Sequence, residues 1–387
     1  MHKNKLYYIP AGVIILLCLG TVYSWSVFRK PLEEYYNINA TQSGLPYMIF
    51  LASYALFMLV AGGFIEKYGP RKIIIIGGLL VGSGWILSSF APNIYVFTLT
   101  YGFIGGSGVG IAYGAPIAAV TKWFPEKKGA FVGTILLGFG LSPFITAPIS
   151  RNLIESQGVM STLTILGVVF IVIISLLGLL FEFPNTSNDK IIINREKIFK
   201  KLFKDKKFYG IWSCFVLGTF VGLMMIGITS TVGEELIGLT ASRGALFVSL
   251  FALFNGIGRP FFGWLTDYLS PKKAAIFSYC LIIIASVLML FASKEFIFLY
   301  VIAFSLFWLN VGAWLAIAPT STAIYFGQNN YSKYFGYVFT AYGVGAILGN
   351  LLSGEIKNIF GSYSYIFPIV IVVGIIGIIL ALLLLED

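Results

Sequence analysis

The sequence has few of the residues that carry most enzyme chemistry. Its one histidine, His2, lies in the N-terminal tail, and its three cysteines show no metal-ligand spacing. No glycine-rich phosphate loop leads into a Lys-Ser or Lys-Thr pair. These absences exclude a histidine-based catalytic site or proton relay, a disulfide framework and nucleotide hydrolysis by the chain itself. We therefore expect no metal, no cofactor and no enzyme activity.

Charged residues are also scarce, at 11% of the chain against about 25% in soluble globular proteins. In their place, apolar runs of about 20 residues, the length that crosses roughly 30 Å of hydrocarbon, recur to the end of the chain. The first run follows Lys3 and Lys5 but lacks a small-residue cleavage site, so we expect a retained helix and not a signal peptide. The sequence predicts an all-α membrane protein with twelve transmembrane helices, at roughly 7–28, 43–65, 71–91, 94–120, 127–150, 161–182, 208–232, 241–265, 273–292, 295–320, 333–356 and 364–385.

The net charge of +10 is compatible with a nucleic-acid partner, but its distribution argues against one. If the N-terminus lies inside, 19 of the 26 basic residues fall at inner loops and ends, and six fall in outer loops, Arg29 and Lys30 among them. This positive-inside bias predicts that both termini are cytoplasmic. We expect a multi-pass protein of the cell membrane, surrounded by lipid and without nucleic acid. Nothing in the sequence requires more than a monomer, and richness in Ile, Lys, Asn and Tyr suggests a prokaryotic source.

The chain repeats itself once around a central loop. Five short matches recur in the same order, at an offset that drifts only from 198 to 205 residues. This predicts two pseudo-symmetric six-helix bundles, 1–182 and 208–387, joined by a cytoplasmic linker, 183–207, with a short amphipathic helix over 195–204. Two of the matches join Gly62-x3-Glu66-x3-Pro70-Arg71-Lys72 to Gly263-x3-Asp267-x3-Pro271-Lys272-Lys273, and Gly138-x-Gly140 to Gly343-x-Gly345.

Arg259 is the one charge deep inside an apolar run, the predicted eighth span. Placing a charge there costs about 2.5–3.5 kcal/mol, and the sequence offers no convincing carboxylate within a span to neutralise it. Asn255 lies four residues earlier on the same helical face, while Pro260 and its flanking glycines predict a broken backbone that lines a cavity. We expect Arg259 and Asn255 to bind an anion, most simply a carboxylate. The alternative is that Arg259 extends to the cytoplasmic edge near Asp267.

Aromatic and polar residues of other spans are expected to complete this pocket. Each is also of a type that commonly serves in packing or in the interfacial belt. The candidates lie in the first, fourth, tenth and eleventh spans, and Tyr113 and Tyr342 are favoured because they lie mid-span on helices with repeat signatures: Tyr23, Trp25, Tyr113, Asn310, Trp314 and Tyr342.

The two acidic-then-basic loops of the repeat resemble the loop signature of the major facilitator superfamily. Glu66 stands where that family usually has Asp, and Pro70 where it often has Arg. The resemblance implies a gating role for Glu66 and Arg71, and for their copies Asp267 and Lys272, in which an ion pair holds one conformation and breaks in the other. The alternative is an ordinary positive-inside loop.

Over essentially its full length the chain is similar to the oxalate/formate antiporter family, which is related to the monocarboxylate transporters within the same superfamily. The similarity implies that Arg259 binds the substrate carboxylate. The oxalate exchanger pairs this arginine with an eleventh-span lysine, where this chain has Tyr342. Monocarboxylate carriers have an aspartate where this chain has Asn255, and a first-span lysine without counterpart here. The motifs that carry the similarity are Tyr23-Ser24-Trp25-Ser26-Val27-Phe28, Asn255-Gly256-x-Gly258-Arg259 and Tyr342-Gly343-x-Gly345.

These departures favour one substrate class. A single buried cation neutralises one carboxylate, whereas a dianion keeps a second charge without a partner, which is costly in a low-dielectric site. We therefore expect a secondary transporter of a small monocarboxylate, of the lactate, pyruvate or formate type, working by alternating access as proton symport or anion exchange. An oxalate/formate-type dicarboxylate exchanger, or a non-transporting carboxylate sensor on the same scaffold, stays open as an alternative.

Overall fold

The computed structural model describes residues 5–124, 126, 128–184, 202–327 and 331–386. Over these residues the chain forms twelve helices that are long and apolar enough to cross a membrane, as the sequence predicts. They are α1 (Tyr8–Tyr36), α2 (Ala40–Tyr68), α3 (Pro70–Ser88), α4 (Ile94–Trp123), α5 (Phe131–Gln157), α6 (Val159–Gly178), α7 (Lys206–Glu235), α8 (Ala241–Tyr268), α9 (Pro271–Leu290), α10 (Ile297–Phe326), α11 (Tyr334–Phe360) and α12 (Tyr363–Leu384).

We call α1–α6 the first half and α7–α12 the second half, and the boundary between them the seam. Within the halves, α3 packs on α6 and α9 packs on α12. Across the seam, α2 packs against α11, α5 packs against α8, and α1 contacts α7. Because each half has six spans, the start of α1 and the end of α12 lie at one face, here called the terminal face; the opposite one is the far face. The predicted amphipathic helix over 195–204 lies outside the described residues except for its last three.

Two helices deviate from regular α-geometry near the seam. Residues Gly20–Ser24 of α1 form a 3₁₀ turn, and Thr98–Gly105 of α4 form a π-helical segment. Gly20 lies so close to α5 that a Cβ there would be 2.5 Å from the carbonyl oxygen of Phe139. Small residues permit such close helix approach in membranes, and the 3₁₀ turn that begins at Gly20 carries Tyr23.

The expectation of a broken backbone around Arg259 is wrong, because α8 runs as one continuous α-helix from Ala241 to Tyr268 with Pro260 inside it. A proline removes one hydrogen bond, that from its own nitrogen to the carbonyl four residues earlier, here that of Gly256. Neighbouring helices hold such a turn in place within membranes. The departures from α-helical geometry described above lie in α1 and α4, whereas Arg259 lies on a continuous α-helix.

The assignment of Arg29 to an outer loop is also wrong. α1 continues to Tyr36, and Arg29 is 0% exposed within it. Its Nε donates to Ser43 Oγ at 3.0 Å and lies 3.4 Å from a Glu33 carboxylate oxygen. Because Arg29 and Glu33 are one helical turn apart, their charges partly cancel, which allows the helix to carry both into the bundle. Arg29 is therefore a buried residue at the far end of the seam.

Candidate functional site: a buried arginine between the two halves

Arg259 lies buried at the seam between the two halves. The residue is 8% exposed, and its Nη1 donates to the carbonyl oxygen of Leu136 on α5, in the other half, at 2.9 Å. The guanidinium carbon lies 5.9 Å from the centre of the Phe139 ring, within range of a cation–π contact. Nε and Nη2 are buried and have no hydrogen-bond partner. Within the described residues no carboxylate pairs with Arg259, so its charge and two of its nitrogens are available to a ligand.

Glycines on α5 and α8 make room for this arrangement. A Cβ on Gly140 would lie 3.2 Å from Arg259 Nε and 3.4 Å from Gly256 Cα. A Cβ on Gly256 would lie 2.7 Å from the Leu141 side chain, again across the seam. Small residues at these positions bring the two helices together and let the guanidinium lie along α5.

Asn255 lies one turn before Arg259 and is 0% exposed. Both its amide nitrogen and its amide oxygen are buried without a hydrogen-bond partner. Leaving a buried polar group unpaired costs about 1–3 kcal/mol, and native proteins keep few such groups. An unpaired amide next to an unpaired guanidinium edge is a pair of groups suited to a polar ligand.

Tyrosines from both halves surround the arginine. Tyr23 on α1 and Tyr342 on α11 share a hydrogen bond of 2.7 Å between their hydroxyls, which joins the two halves. The rings of Tyr54 and Tyr342 pack edge to face at 5.6 Å, and those of Tyr54 and Tyr113 lie 5.4 Å apart. Tyr23, Tyr54 and Tyr113 are all close enough to interact electrostatically with the Arg259 charge. Aromatic rings that carry hydroxyl groups thus lie around the Arg259 guanidinium.

Two of the sequence candidates make their contacts within one half. Asn310 accepts a hydrogen bond from Ser278 on α9 and donates to the carbonyl of Leu306 on its own helix. Trp314 packs against the rings of Phe215 and Tyr279 inside the second half. Of the residues proposed from the sequence, the structure therefore groups Arg259 with Asn255 and the tyrosines at 23, 113 and 342, while the polar groups of Asn310 are used elsewhere.

Tyr54, Phe139 and Leu136 belong to this environment but carried no distinctive signal in the sequence. Tyr54 and Phe139 are aromatic residues in apolar runs, where packing is the usual role. Leu136 takes part through its backbone carbonyl, which every residue has. Gly140 was marked by the repeat, and only its closeness to Arg259 gives it a role at the site.

Polar contacts join the halves at the far face. Lys30 on α1 pairs with Glu234 on α7 at 3.2 Å. Thr41 on α2 donates to Glu355 and accepts from Asn358, both on α11, at 2.8 Å each. Because these bonds connect α1 and α2 to α7 and α11, they hold the two halves together at this end.

The gating residues proposed from the sequence lie at the terminal face. Glu66 pairs with Lys122 of α4 at 2.6 Å, and Arg71 lies 3.8 Å from Glu182, so both contacts stay within the first half. Glu182 also accepts a hydrogen bond from Lys5, which lowers the pKa of its carboxyl group. In the second half, Asp267 is exposed on the last turn of α8, and Lys272 is the second residue of α9. The acidic members of the repeat thus occupy equivalent helix ends on one face.

The chain matches known proteins over most of its length. The model of the Major Facilitator Superfamily matches residues 11–325 and 237–387. The chain is 25% identical to the oxalate:formate antiporter of Oxalobacter formigenes, over 92% of this chain and 86% of that one. It is 27% identical to monocarboxylate transporter 12 of Xenopus laevis, over 88% of this chain and 80% of that one.

Solved structures agree on the fold. A variant of the nucleoside transporter NupG gives a TM-score of 0.78 at 12% identity, covering 98% of this chain and 100% of that one. A bacterial homologue of the human lysosomal transporter Spinster, in an inward-facing and unoccupied conformation, gives a TM-score of 0.74 at 15% identity, covering 98% of this chain and 96% of that one. At these identities the likeness concerns the arrangement of the helices alone.

Proposed function

The chain belongs to the major facilitator superfamily, and from that premise we propose that it carries a small monocarboxylate across the cell membrane by alternating access. The cargo is of the lactate, pyruvate or formate type, and transport is coupled either to protons or to exchange with a second anion. The protein functions with both termini in the cytoplasm, as the positive-inside bias predicts. Its terminal face is then the inner face and its far face the outer one.

The observation that carries this proposal is the free edge of Arg259. The guanidinium is buried between two bundles, has no carboxylate partner in the described residues, and keeps Nε and Nη2 unbonded. Nε and Nη2 form one edge of the planar fork, which matches the two oxygens of a carboxylate. Charge-assisted bonds of this kind are about twice as strong as neutral ones. A single carboxylate would neutralise the site, and the hydroxyls of Tyr23 and Tyr113 and the amide of Asn255 would orient the rest of the anion.

The names of two relatives support the substrate class. One is an oxalate:formate antiporter and the other a monocarboxylate transporter, so both act on small carboxylates. The present site has Tyr342 where a second cation is expected for oxalate, and the Tyr342 hydroxyl is bonded to Tyr23. A dianion would therefore keep one carboxylate without a cation, which favours a monoanion.

Alternating access uses the two faces in turn. The far face is joined by bonds such as the one between Lys30 and Glu234, which would break when the carrier opens outward. On the terminal face, Glu66, Arg71, Asp267 and Lys272 are proposed to stabilise the opposite state. Binding of the carboxylate removes the uncompensated charge of Arg259, which lowers the cost of moving the site between the two openings.

The test is uptake into proteoliposomes of labelled lactate, pyruvate, formate and oxalate, each with and without an imposed proton gradient or internal anion. Wild type is compared with Arg259→Gln, which is shorter and stays polar but loses the charge, and with Arg259→Lys, which keeps the charge but loses the fork. We expect uptake of at least one monocarboxylate, loss of at least about a hundredfold in the glutamine variant, and partial activity with lysine. Equal transport by the glutamine variant would contradict the role of Arg259.

Two alternatives are separated by the same experiment. An oxalate/formate-type exchanger would carry oxalate at least as well as formate and would need an internal anion. A carboxylate sensor would bind a labelled monocarboxylate without accumulating it in vesicles. Similarity to the oxalate:formate antiporter over 92% of this chain is the observation that favours the first of these.

A further inference from the structure

A second group of buried polar residues lies on the seam, between the tyrosines around Arg259 and the far face. Three helices that carry a tyrosine near Arg259 each carry a member of this group. On α1, Arg29 follows Tyr23 by six residues; on α2, Tyr47 precedes Tyr54 by seven; on α11, Asn350 follows Tyr342 by eight. At 1.5 Å per residue these steps are about 9, 10 and 12 Å. All three steps lead from the tyrosine toward the far face, because α1 and α11 run toward that face while α2 runs away from it.

The three members converge on Gly227 of α7. A Cβ at Gly227 would lie 2.8 Å from Asn350 Oδ1 and 3.1 Å from Tyr47 Cε1. The Gly227 carbonyl accepts a long hydrogen bond, 3.5 Å, from Arg29 Nη1. Residues from α1, α2, α7 and α11 therefore meet at one place, and two of these helices belong to each half.

Polar atoms in this group lack partners. The Tyr47 hydroxyl and Asn350 Oδ1 are buried without a hydrogen bond, in residues that are 0% and 2% exposed. The indole nitrogen of Trp25, whose ring is stacked with that of Tyr47 at 6.2 Å, is also buried and unbonded. Such groups are rare in native proteins because burial removes their bonds to water. Their concentration beside the Arg29 guanidinium, whose charge Glu33 only partly cancels, indicates a place that a ligand occupies in another conformation.

One nitrogen of the Arg29 guanidinium, Nη1, would lose its partner if the two halves separated at the far face. Its Nε is held by Ser43 and Glu33, and its Nη2 donates to the Ala40 carbonyl at 2.5 Å, all within the first half. Only Nη1 bonds across the seam, to Gly227, and the Tyr363 ring of the second half lies 5.7 Å from the guanidinium carbon. When the halves part at this end, Nη1 loses its partner while the rest of the side chain stays fixed.

From this geometry we propose a second carboxylate-binding station, formed by Arg29, Tyr47 and Asn350, that receives the anion from the far side before it reaches Arg259. This inference rests on the proposed function and adds a site to it. The Tyr47 hydroxyl and Arg29 Nη1 donate to the carboxylate, and Asn350 Oδ1 accepts from water or from a hydroxyl group of the anion. The Tyr23–Tyr342 hydrogen bond lies between the two stations and has to open for the anion to pass.

The decisive variant is Tyr47→Phe, because it removes a hydroxyl that has no bond in the closed conformation. A purely structural residue would therefore tolerate it, and thermal stability in detergent is expected to stay level or rise. The matched control is Ser175→Ala, which removes another unpartnered buried hydroxyl, on α6 inside the first half. Asn350→Leu is a second variant that removes the other unbonded group of the station.

Transport is measured from each face separately, in right-side-out and inside-out membrane vesicles, with whichever of labelled lactate, pyruvate or formate the wild type carries. We expect the KM for anion at the far face to rise about tenfold in Tyr47→Phe, with the KM at the terminal face within twofold of wild type. Ser175→Ala should match wild type at both faces. An unchanged KM at both faces, or an equal change at both, would overturn the second station. A wild type that carries none of these anions from either face would instead overturn the proposed function.

Discussion

At the scale of single residues, the site contains buried polar side chains whose atoms lack hydrogen-bond partners. Arg259 and Asn255 are both buried, and each has polar atoms without a partner. The sequence identifies both, because a charge and an amide one turn apart are conspicuous in an apolar run. It does not distinguish Asn310 from Asn255, since which amide is already bonded depends on the neighbouring helix: Ser278 of α9 supplies the bond to Asn310.

Asn255→Leu is expected to stabilise the fold and weaken transport. The substitution removes two unpartnered buried atoms at similar volume, so the free energy of unfolding should rise by about 1–2 kcal/mol. Transport of the preferred monocarboxylate should fall at least tenfold if the amide orients the anion. Thermal melting in detergent and vesicle uptake measure the two effects.

The matched control for this change is Asn310→Leu. Because Asn310 bonds Ser278 and the Leu306 carbonyl, its loss leaves the Ser278 hydroxyl unpaired and should lower the melting temperature. If both variants shifted stability in the same direction, the unpaired state assigned to Asn255 would be incorrect.

At the scale of helices, close packing decides which residues meet. The sequence pairs Gly138-x-Gly140 with Gly343-x-Gly345. In the structure, Gly138 packs on Val13 of α1, and Gly345 packs on Val216 and Thr219 of α7, so both glycines lie against the first helix of their half. Gly140 lies instead against α8, where it allows the close approach of Arg259 to α5.

Gly140→Ala is expected to disturb the arginine without unfolding the protein. Its Cβ would lie 3.2 Å from Arg259 Nε, so the guanidinium must move by a few tenths of an ångström. The KM for the monocarboxylate should rise roughly three- to tenfold, because binding depends on the placement of the fork. Gly133→Ala on the same helix is the control, since its Cβ would meet nothing within 4 Å. Equal kinetics of both alanine variants and wild type would show that the position of Arg259 is not limiting.

At the scale of the whole molecule, the described conformation is held at the far face. The Lys30–Glu234 pair and the bonds of Thr41 to α11 cross between the halves there. By contrast, Glu66 pairs with Lys122, and Arg71 and Lys5 with Glu182, inside the first half at the terminal face. The gating role of the repeated loops stays a prediction, and so do the boundaries of the linker, most of which lies outside the described residues.

Charge reversal across the far face should open it. Lys30→Glu places two carboxylates opposite each other at the seam, and like charges repel at this separation. In a cysteine-free background with spin labels at exposed Glu34 and Glu295, one in each half, the distance distribution should shift to longer values. Adding Glu234→Lys should restore the original distribution. If the single reversal left the distances unchanged, the pair would not contribute to closure.

The sequence by itself determined the fold class, the number of spans and the identity of one buried cation, Arg259, because the length of the apolar runs and a charge inside one of them can be read directly from the residue order. The tertiary structure alone decided that Arg29 is buried, that α8 stays intact through Pro260, and that Tyr54 and Phe139 face Arg259. These outcomes depend on which helix lies opposite which, and on how closely glycines let them approach. Contacts between residues more than a hundred positions apart leave no pattern within any one segment.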